Sequence, residues 1–189
     1  GNFIGNYVFN ANAIGGAIYN SGIIGDITGD FIGNYSSDSV GGAIFNDYDS
    51  SIGNIIGDFI GNHSKAYGGA INNSGRTAIG NITGDFIGNY ASGNYAAGGA
   101  INNYDTINIT GNFLNNYSRA TRTGNVALGG AVYTAKKMTF AAGEQKTYFM
   151  SGNYTLGRSY NKRYNAIFVE TGASGEVPVI TFDTAGGGS

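Results

Sequence analysis

Acidic residues recur at a fixed spacing, and they are the first side chains in this sequence that could do chemistry. An aspartate precedes a phenylalanine at Asp30, Asp58 and Asp85. An asparagine takes the same place at Asn2 and Asn112. If these positions stack at ~4.8 Å, the spacing of neighbouring strands, they form an edge that could bind a cation. Neighbouring carboxylates would then repel by about 0.9 kcal/mol in water, so we expect them to point outward into solvent without a metal.

Acid/base catalysis by these carboxylates is a weaker interpretation. Enzymes that cleave polysaccharides need acids clustered on one face together with a basic residue, whereas these acids occur singly in each repeat. No lysine or arginine lies within the first 64 residues. The chain also has no cysteine, which excludes disulfides, thiol catalysis and thiolate metal sites. We therefore predict a protein that is not an enzyme and that needs no cofactor and no metal.

The single histidine, His63, is a candidate general base or metal ligand. However, the corresponding places in the other repeats hold Tyr7, Tyr35, Tyr90 and Tyr117. We therefore predict that the imidazole replaces one ring in an aromatic stack. The tyrosine column itself has two interpretations, a packing ladder beneath the loops or an outward aromatic strip for glycans or protein partners.

Charge is distributed unevenly, and basic residues mix with tyrosines near the C-terminal end. Residues 1–118 hold eight aspartates against Lys65 and Arg76, while residues 119–189 hold eight basic and four acidic residues. This pattern indicates either a patch for an anionic glycan or for the acidic face of another copy, or simply a charged, soluble loop. The candidate patch comprises Tyr154, Arg158, Tyr160, Lys162, Arg163 and Tyr164.

Two alternating tetrapeptides must position all of these side chains. Phe-x-x-Asn recurs with phenylalanines 28, 28, 27 and 27 residues apart, and Gly-Gly-Ala-Ile or its Val variant recurs with starts 26, 27, 30 and 31 apart. Units of ~27 residues cannot each close a core, so they must stack on one another. The predicted columns are Phe3, Phe31, Phe59, Phe86 and Phe113; Asn6, Asn34, Asn62, Asn89 and Asn116; and Ile18, Ile44, Ile71, Ile101 and Val132.

The fold expected from this stacking is an all-β parallel β-helix, or β-solenoid, of about six rungs with apparently uncapped ends. Glycine, at 34 of 189 residues, is too dense for a helical bundle, and 41% hydrophobic residues are too many for a disordered chain. We expect one domain over residues 1–189, with regular rungs to residue 137 and an irregular last rung with C-terminal strands over 138–189. Phenylalanine and isoleucine columns fill the interior, asparagine amides bond along the axis, and the glycine pairs make tight corners. The sequence also reads as a fragment of a longer protein.

The alternation of Gly-Gly-Ala-Ile and Phe-x-x-Asn resembles the polymorphic outer-membrane proteins of chlamydiae and, more broadly, autotransporter passenger domains. Five copies of each tetrapeptide carry this resemblance, and the ending AIFVETGASGEVPVITFDTAGGGS is similar to the stretch that follows such repeats. The resemblance implies a right-handed β-helix exported to the bacterial cell surface or the extracellular space, where it acts in adhesion. The two tetrapeptides are themselves associated with adhesiveness in that group.

We therefore expect a non-enzymatic surface adhesin or passenger segment whose partner is a host-cell or glycan receptor. One alternative is a structural subunit whose open strand edges stack end to end, copy on copy, into an extracellular fibre. A second and weaker alternative is a polysaccharide-processing β-helix enzyme. No sequence motif supports nucleic-acid binding, and no apolar run is long enough to span a membrane as a helix.

Overall fold

The computed structural model describes residues 1–9, 13–38, 40–76, 78–122, 126–141, 150–156, 162–163, 166–169 and 180–183. Within these residues the chain is all-β without a helix. Parallel strands stack into a β-solenoid of about five turns with roughly 28 residues per turn. The predicted fold class is therefore confirmed. The repeats predict about six rungs, and the structure shows about five turns.

Four sheets run along the solenoid, and each sheet is one column of strands. The strands of one sheet start at the phenylalanine of each Phe-x-x-Asn repeat, and the strands of a second start just after its asparagine. The phenylalanine sheet contains Phe3–Ile4, Phe31–Ile32, Phe59–Ile60, Phe86–Ile87, Phe113–Leu114 and Met150–Ser151. The tyrosine sheet contains Tyr7–Val8, Tyr35–Ser36, His63–Ser64, Tyr90–Gly93, Tyr117–Ala120, Tyr154–Leu156 and Lys162–Arg163.

The other two long sheets follow the glycine pairs and the next bend, and two short sheets complete the turns. The GGAI sheet contains Ile18–Asn20, Ile44–Asn46, Ile71–Asn73, Ile101–Asn103, Val132–Thr134 and Ile167–Val169. The isoleucine sheet contains Ile27–Thr28, Ile55–Ile56, Asn81–Thr83, Ile107–Thr110, Met138–Ala141 and Ile180–Asp183. The short sheets are Ile23–Ile24, Ser51–Ile52 and Ala78–Ile79, and Ala96–Ala97 with Ala127–Leu128.

The phenylalanine column fills one side of the core. Its five rings pair in register, turn on turn, and stack with centroids 4.6 to 4.8 Å apart and planes within 3° of parallel. From Phe31 onward these rings are completely buried. Met150 takes the sixth place in register with Phe113, while Phe140 packs edge-on against the Phe113 ring. Facing the rings are the buried isoleucines of the GGAI and isoleucine sheets.

Each glycine pair forms the tight corner that the sequence predicts. The first glycine has φ between +58° and +63° in all five repeats, a conformation that L side chains rarely adopt. A Cβ on the second would meet the neighbouring turn; at Gly69 it would lie 2.0 Å from the carbonyl oxygen of Gly99. Because backbone meets backbone there, side chains are excluded and the following isoleucine is directed into the core.

The described strands of the last turn, within residues 138–183, belong to the same four long sheets as the earlier turns. Ile180–Asp183 pairs in parallel with Met138–Ala141. The strand Lys162–Arg163 departs from the parallel pattern because it runs antiparallel to Tyr154–Leu156. These two strands form the one antiparallel pair among the described strands. Residues 157–161, which join these two strands, lie outside the described residues.

Candidate binding surface

The buried asparagine column is a complete hydrogen-bonded ladder. Asn34 donates its backbone N–H and its side-chain amide to Oδ1 of Asn62, both at 2.9 Å. Nδ2 of Asn62 also donates to the Phe31 carbonyl at 2.8 Å. Every amide hydrogen and both acceptor sites of an interior member are therefore used within the protein. The ladder runs through Asn6, Asn34, Asn62, Asn89, Asn116 and Asn153.

Two further amide ladders were missed by the sequence analysis. One is buried and follows the third residue of each GGAI strand, with side-chain bonds of 2.8 to 3.2 Å from turn to turn. The other is exposed and is formed by the residue just before Ile27, Ile55, Ile82 and Ile109 of the isoleucine sheet. The signal was visible in the sequence as a polar residue at a fixed offset from Ala-Ile and from Ile-Gly. The buried ladder contains Asn20, Asn46, Asn73, Asn103 and Thr134, and the exposed one Asp26, Asn54, Asn81 and Asn108.

The recurring aspartates are half-buried and bonded to the backbone of the next turn rather than freely solvated. Oδ1 of Asp30 accepts the Asp58 N–H at 3.0 Å, and Oδ1 of Asp58 accepts the Asp85 N–H at 2.8 Å. Asp85 in turn accepts the backbone and side-chain N–H groups of Asn112. Within the described part of the chain, no three acidic or histidine side chains are grouped so as to hold a metal ion. This column therefore stabilises the stacking of turns.

His63 lies in the aromatic column of the tyrosine sheet. Its ring centroid is 4.8 Å from that of Tyr35 and 3.8 Å from that of Tyr90, and its Nε2 lies 3.2 Å from the Ser92 hydroxyl. Burial, helped by the charge of Lys65, lowers the pKa of the imidazole to about 4. The ring is therefore neutral near pH 7 and packs as one member of the stack.

The tyrosines of this column stack in the same way and are half-buried beyond the first turn. Tyr90 and Tyr117 have centroids 4.9 Å apart, and Tyr117 and Tyr154 5.1 Å apart. Burial raises the pKa of the Tyr90 and Tyr117 phenols, which keeps both protonated. The column combines features of both interpretations, since it packs from turn to turn and yet retains an accessible edge.

Of the predicted basic and aromatic patch, the structure describes one part. Tyr154 belongs to the tyrosine stack, and Lys162 and Arg163 form the strand that pairs with Tyr154–Leu156. The fold thus brings these three positions to the same end of the tyrosine sheet. The remaining predicted members, Arg158, Tyr160 and Tyr164, lie outside the described residues.

A second aromatic surface lies on the outer face of the GGAI sheet, where the sequence analysis had placed no site. The middle residues of its strands lie on the side away from the core, where the exposed Tyr19 ring stacks on the buried Phe45 ring at 5.7 Å. Farther along, the buried Tyr133 ring stacks on Phe168 at 5.6 Å. The turns that follow these strands add more rings, including Tyr48, which lies beneath the Arg76 guanidinium at 5.5 Å. We call this surface, together with the loops that border it, the aromatic flank.

The aromatic flank contains a pocket of about 160 Å³, which we call the tyrosine pocket. It opens between the loops of the third to fifth turns. Two of its rings are well exposed, Tyr95 at 58% and Tyr104 at 37%. Among the lining residues none is charged. The lining consists of Tyr67, Tyr95, Ala96, Ala97, Tyr104, Val126, Leu128 and Tyr133.

The tyrosine pocket exists because one turn carries small residues where its neighbours carry large ones. Ala97 lies in register between Tyr67 of the turn before and Leu128 of the turn after. Val40 occupies the equivalent position in the turn before Tyr67. The only sequence signal was the lengthening of the repeat here, to 30 and 31 residues between glycine pairs, which marks loops but not their packing.

Comparison with known proteins returns no relative of this chain. No protein-family model matches the sequence, and no curated protein and no solved structure matches it either. In the described residues there is also no helix of the length and apolar character needed to cross a membrane.

Proposed function

We propose that this chain is the receptor-binding segment of a bacterial surface adhesin, a non-enzymatic passenger of the autotransporter type. The observation that carries the proposal is the aromatic flank. Tyr19, Tyr48 and Tyr95 each expose about half of their surface or more on one side of the solenoid, outside the packed core. Clustered exposed rings are typical of protein and glycan interaction surfaces.

The rest of the molecule suits a rigid carrier for such a surface. Ring stacks and amide ladders tie every turn to the next, so loops at the flank are held on a stiff rod. Binding loops placed on a rigid scaffold lose little conformational entropy when a partner binds. The tetrapeptide resemblance supports the same function and implies a host-cell or glycan receptor at the bacterial surface.

The polar groups of the repeat favour binding over catalysis. A general acid or base needs a side chain that is free to reach a substrate. The carboxylates of Asp30, Asp58 and Asp85 instead accept backbone N–H groups, and the His63 ring is stacked between two tyrosines. These groups are engaged in holding adjacent turns together.

Binding of the fluorescently labelled chain to epithelial cells and to a glycan array tests the proposal. We expect saturable binding that a Tyr95→Ala/Tyr104→Ala double variant weakens. A Tyr7→Ala variant, which removes an exposed ring from the tyrosine sheet, should leave binding unchanged. No binding to cells or glycans would contradict the proposal.

Two other outcomes would support the alternative functions. Long filaments in negative-stain electron micrographs, in place of short rods, would favour end-to-end stacking into a fibre. Release of unsaturated sugars from pectin-like polymers would favour the polysaccharide-processing enzyme.

A further inference from the structure

We propose that the tyrosine pocket binds a single uncharged pyranose ring, the terminal sugar of a glycan. This inference rests on the proposed function, because it names the ligand class that the aromatic flank recognises. It can nevertheless be tested on the purified chain without any cell. Two observations carry it: the small side chain of Ala97 and the composition of the walls.

The small side chain of Ala97 leaves a space as wide as one ring. Ala97 lies one strand spacing, about 4.8 Å, from Tyr67 on one side and from Leu128 on the other. That spacing is the one at which rings stack inside this protein, since Phe31 and Phe59 have centroids 4.8 Å apart. A ring bound over Ala97 would therefore continue the column that the alanine interrupts.

The walls select a neutral ligand that has an apolar face and a polar edge. Four of the eight lining residues are tyrosines, whose rings present apolar faces with a hydroxyl at the end. A pyranose has the matching character, with C–H groups on its faces and hydroxyls around its edge. No charged residue lines the pocket, so a sulfated or carboxylated sugar would lose hydration without gaining a counter-charge.

The tyrosine hydroxyls favour a sugar over an apolar ligand. Each of the four lining tyrosines carries a hydroxyl, a group that can donate and accept a hydrogen bond. A sugar has hydroxyls to exchange such bonds, whereas a phenyl ring from a protein partner has none.

Saturation-transfer difference NMR with methyl glycosides tests the proposal. The probes are the methyl glycosides of galactose, glucose, mannose, fucose and N-acetylglucosamine, added to the intact chain. We expect transfer to the ring protons of at least one sugar. Ala97→Leu should weaken that sugar's binding by roughly tenfold or more, because the new side chain fills the space. Leucine occupies the same column at Leu128, so this variant should keep the thermal unfolding midpoint of the wild type.

A second variant and a matched control guard against indirect effects. Tyr104→Ala removes a ring from the rim and should also weaken binding. Tyr7→Ala removes an exposed tyrosine from the tyrosine sheet, outside the aromatic flank and the pocket, and should leave sugar binding unchanged.

Three results would overturn the pocket proposal. They are no transfer to any of the sugars, transfer that Ala97→Leu leaves intact, and binding of benzyl alcohol at this site without any sugar. Cell binding that persists without sugar binding would leave the adhesin proposal standing while rejecting the pocket. Sugar binding without attachment to cells or to the glycan array would do the opposite.

Discussion

The buried asparagine ladder and the outer aspartate ladder use the same hydrogen bond in different surroundings. In both, a side-chain Oδ1 accepts the backbone N–H of an adjacent turn, at 2.9 Å from Asn34 to Asn62 and at 3.0 Å from Asp58 to Asp30. Asn62 is completely buried, whereas Asp30 and Asp58 are half-buried. The backbone geometry therefore accepts either residue type, and access to water decides which one can stand there.

The amide hydrogens explain why the buried column needs asparagine. Nδ2 of Asn62 donates both to Asn89 and to the Phe31 carbonyl, and a carboxylate has no hydrogen to offer to either. The aspartates of the outer column are only half-buried, and Oδ2 of Asp30 accepts the Asn2 side-chain amide at 3.2 Å. Charge is tolerated there because water solvates it.

The tyrosine column is a third case. Beyond the first turn its members are half-buried like the aspartates, and its one ionisable ring near neutral pH, His63, has its pKa lowered to about 4 because burial disfavours the imidazolium ion. A half-buried column thus holds either carboxylates or a neutral imidazole, whereas the completely buried column holds uncharged amides.

The regularity of the repeat also separates the structural regions from the proposed binding region. Where successive turns are alike, each polar group bonds to its own copy one turn away. Where they differ, as at Tyr67, Ala97 and Leu128, the column is interrupted and a pocket opens. In a solenoid the site for a partner is therefore to be sought where the repeat fails.

The largest effect is expected from placing a charge in the buried column. Asn89→Asp removes the amide that donates to the Phe59 carbonyl and to Asn116, and it sets a carboxylate against the Asn116 oxygen. We expect the free energy of unfolding at pH 7 to fall by about 3–5 kcal/mol in urea titrations followed by circular dichroism. Asn108→Asp makes the same change in an exposed ladder and should cost less than about 1 kcal/mol. Equal losses for the two variants would break the comparison.

A pH titration tests the tyrosine column through His63. The folded-state pKa of His63, about 4, lies below the unfolded value of about 6.5, so the unfolded chain takes up a proton first. Stability from this group is therefore present above pH 6.5 and is lost as the pH falls toward 4. We expect the thermal unfolding midpoint to drop across this window, and to drop less in His63→Tyr, which completes the tyrosine column. Identical pH profiles for the two proteins would show that the imidazole contributes nothing.

The smallest effect, of opposite sign, is expected at the outer column. Asp58→Asn keeps the oxygen that accepts the Asp85 N–H and removes a charge between Asp30 and Asp85. We expect a gain of up to about 1 kcal/mol in the free energy of unfolding at low ionic strength, shrinking in 1 M NaCl because salt screens the repulsion. Asp58→Ala, which loses the acceptor, should instead destabilise the protein. A loss of stability in Asp58→Asn would mean that the column needs its negative charge.

The sequence predicted the columns well because each member bonds to or stacks on its own copy. Equal spacing of phenylalanine and asparagine was enough to assign the ring stack and the first amide ladder. The tight corners at the glycine pairs followed from residue type in the same way, since the first glycine of each pair has a positive φ.

The tyrosine pocket could not be predicted from the same pattern. It depends on how loops of unequal length pack against each other around Tyr67, Ala97 and Leu128. Contacts between unlike turns leave no periodic signal. The strands predicted within residues 138–189 are described in part, and Met150 takes the place of the phenylalanine that marks each earlier turn.

The pH dependence of the Asn89→Asp penalty tests most directly whether exclusion of charge selects the residues of the buried column. Burial should raise the pKa of the new aspartate above its unfolded value of about 3.9, so its penalty is greatest at neutral pH and falls on acidification. The measurement is the difference in free energy of unfolding between wild type and variant from pH 7 to pH 4, in which the contribution of His63 cancels. We predict that this difference shrinks steadily as the pH is lowered. A difference that stays constant across the range would contradict the account, because the cost would then come from lost amide donors alone.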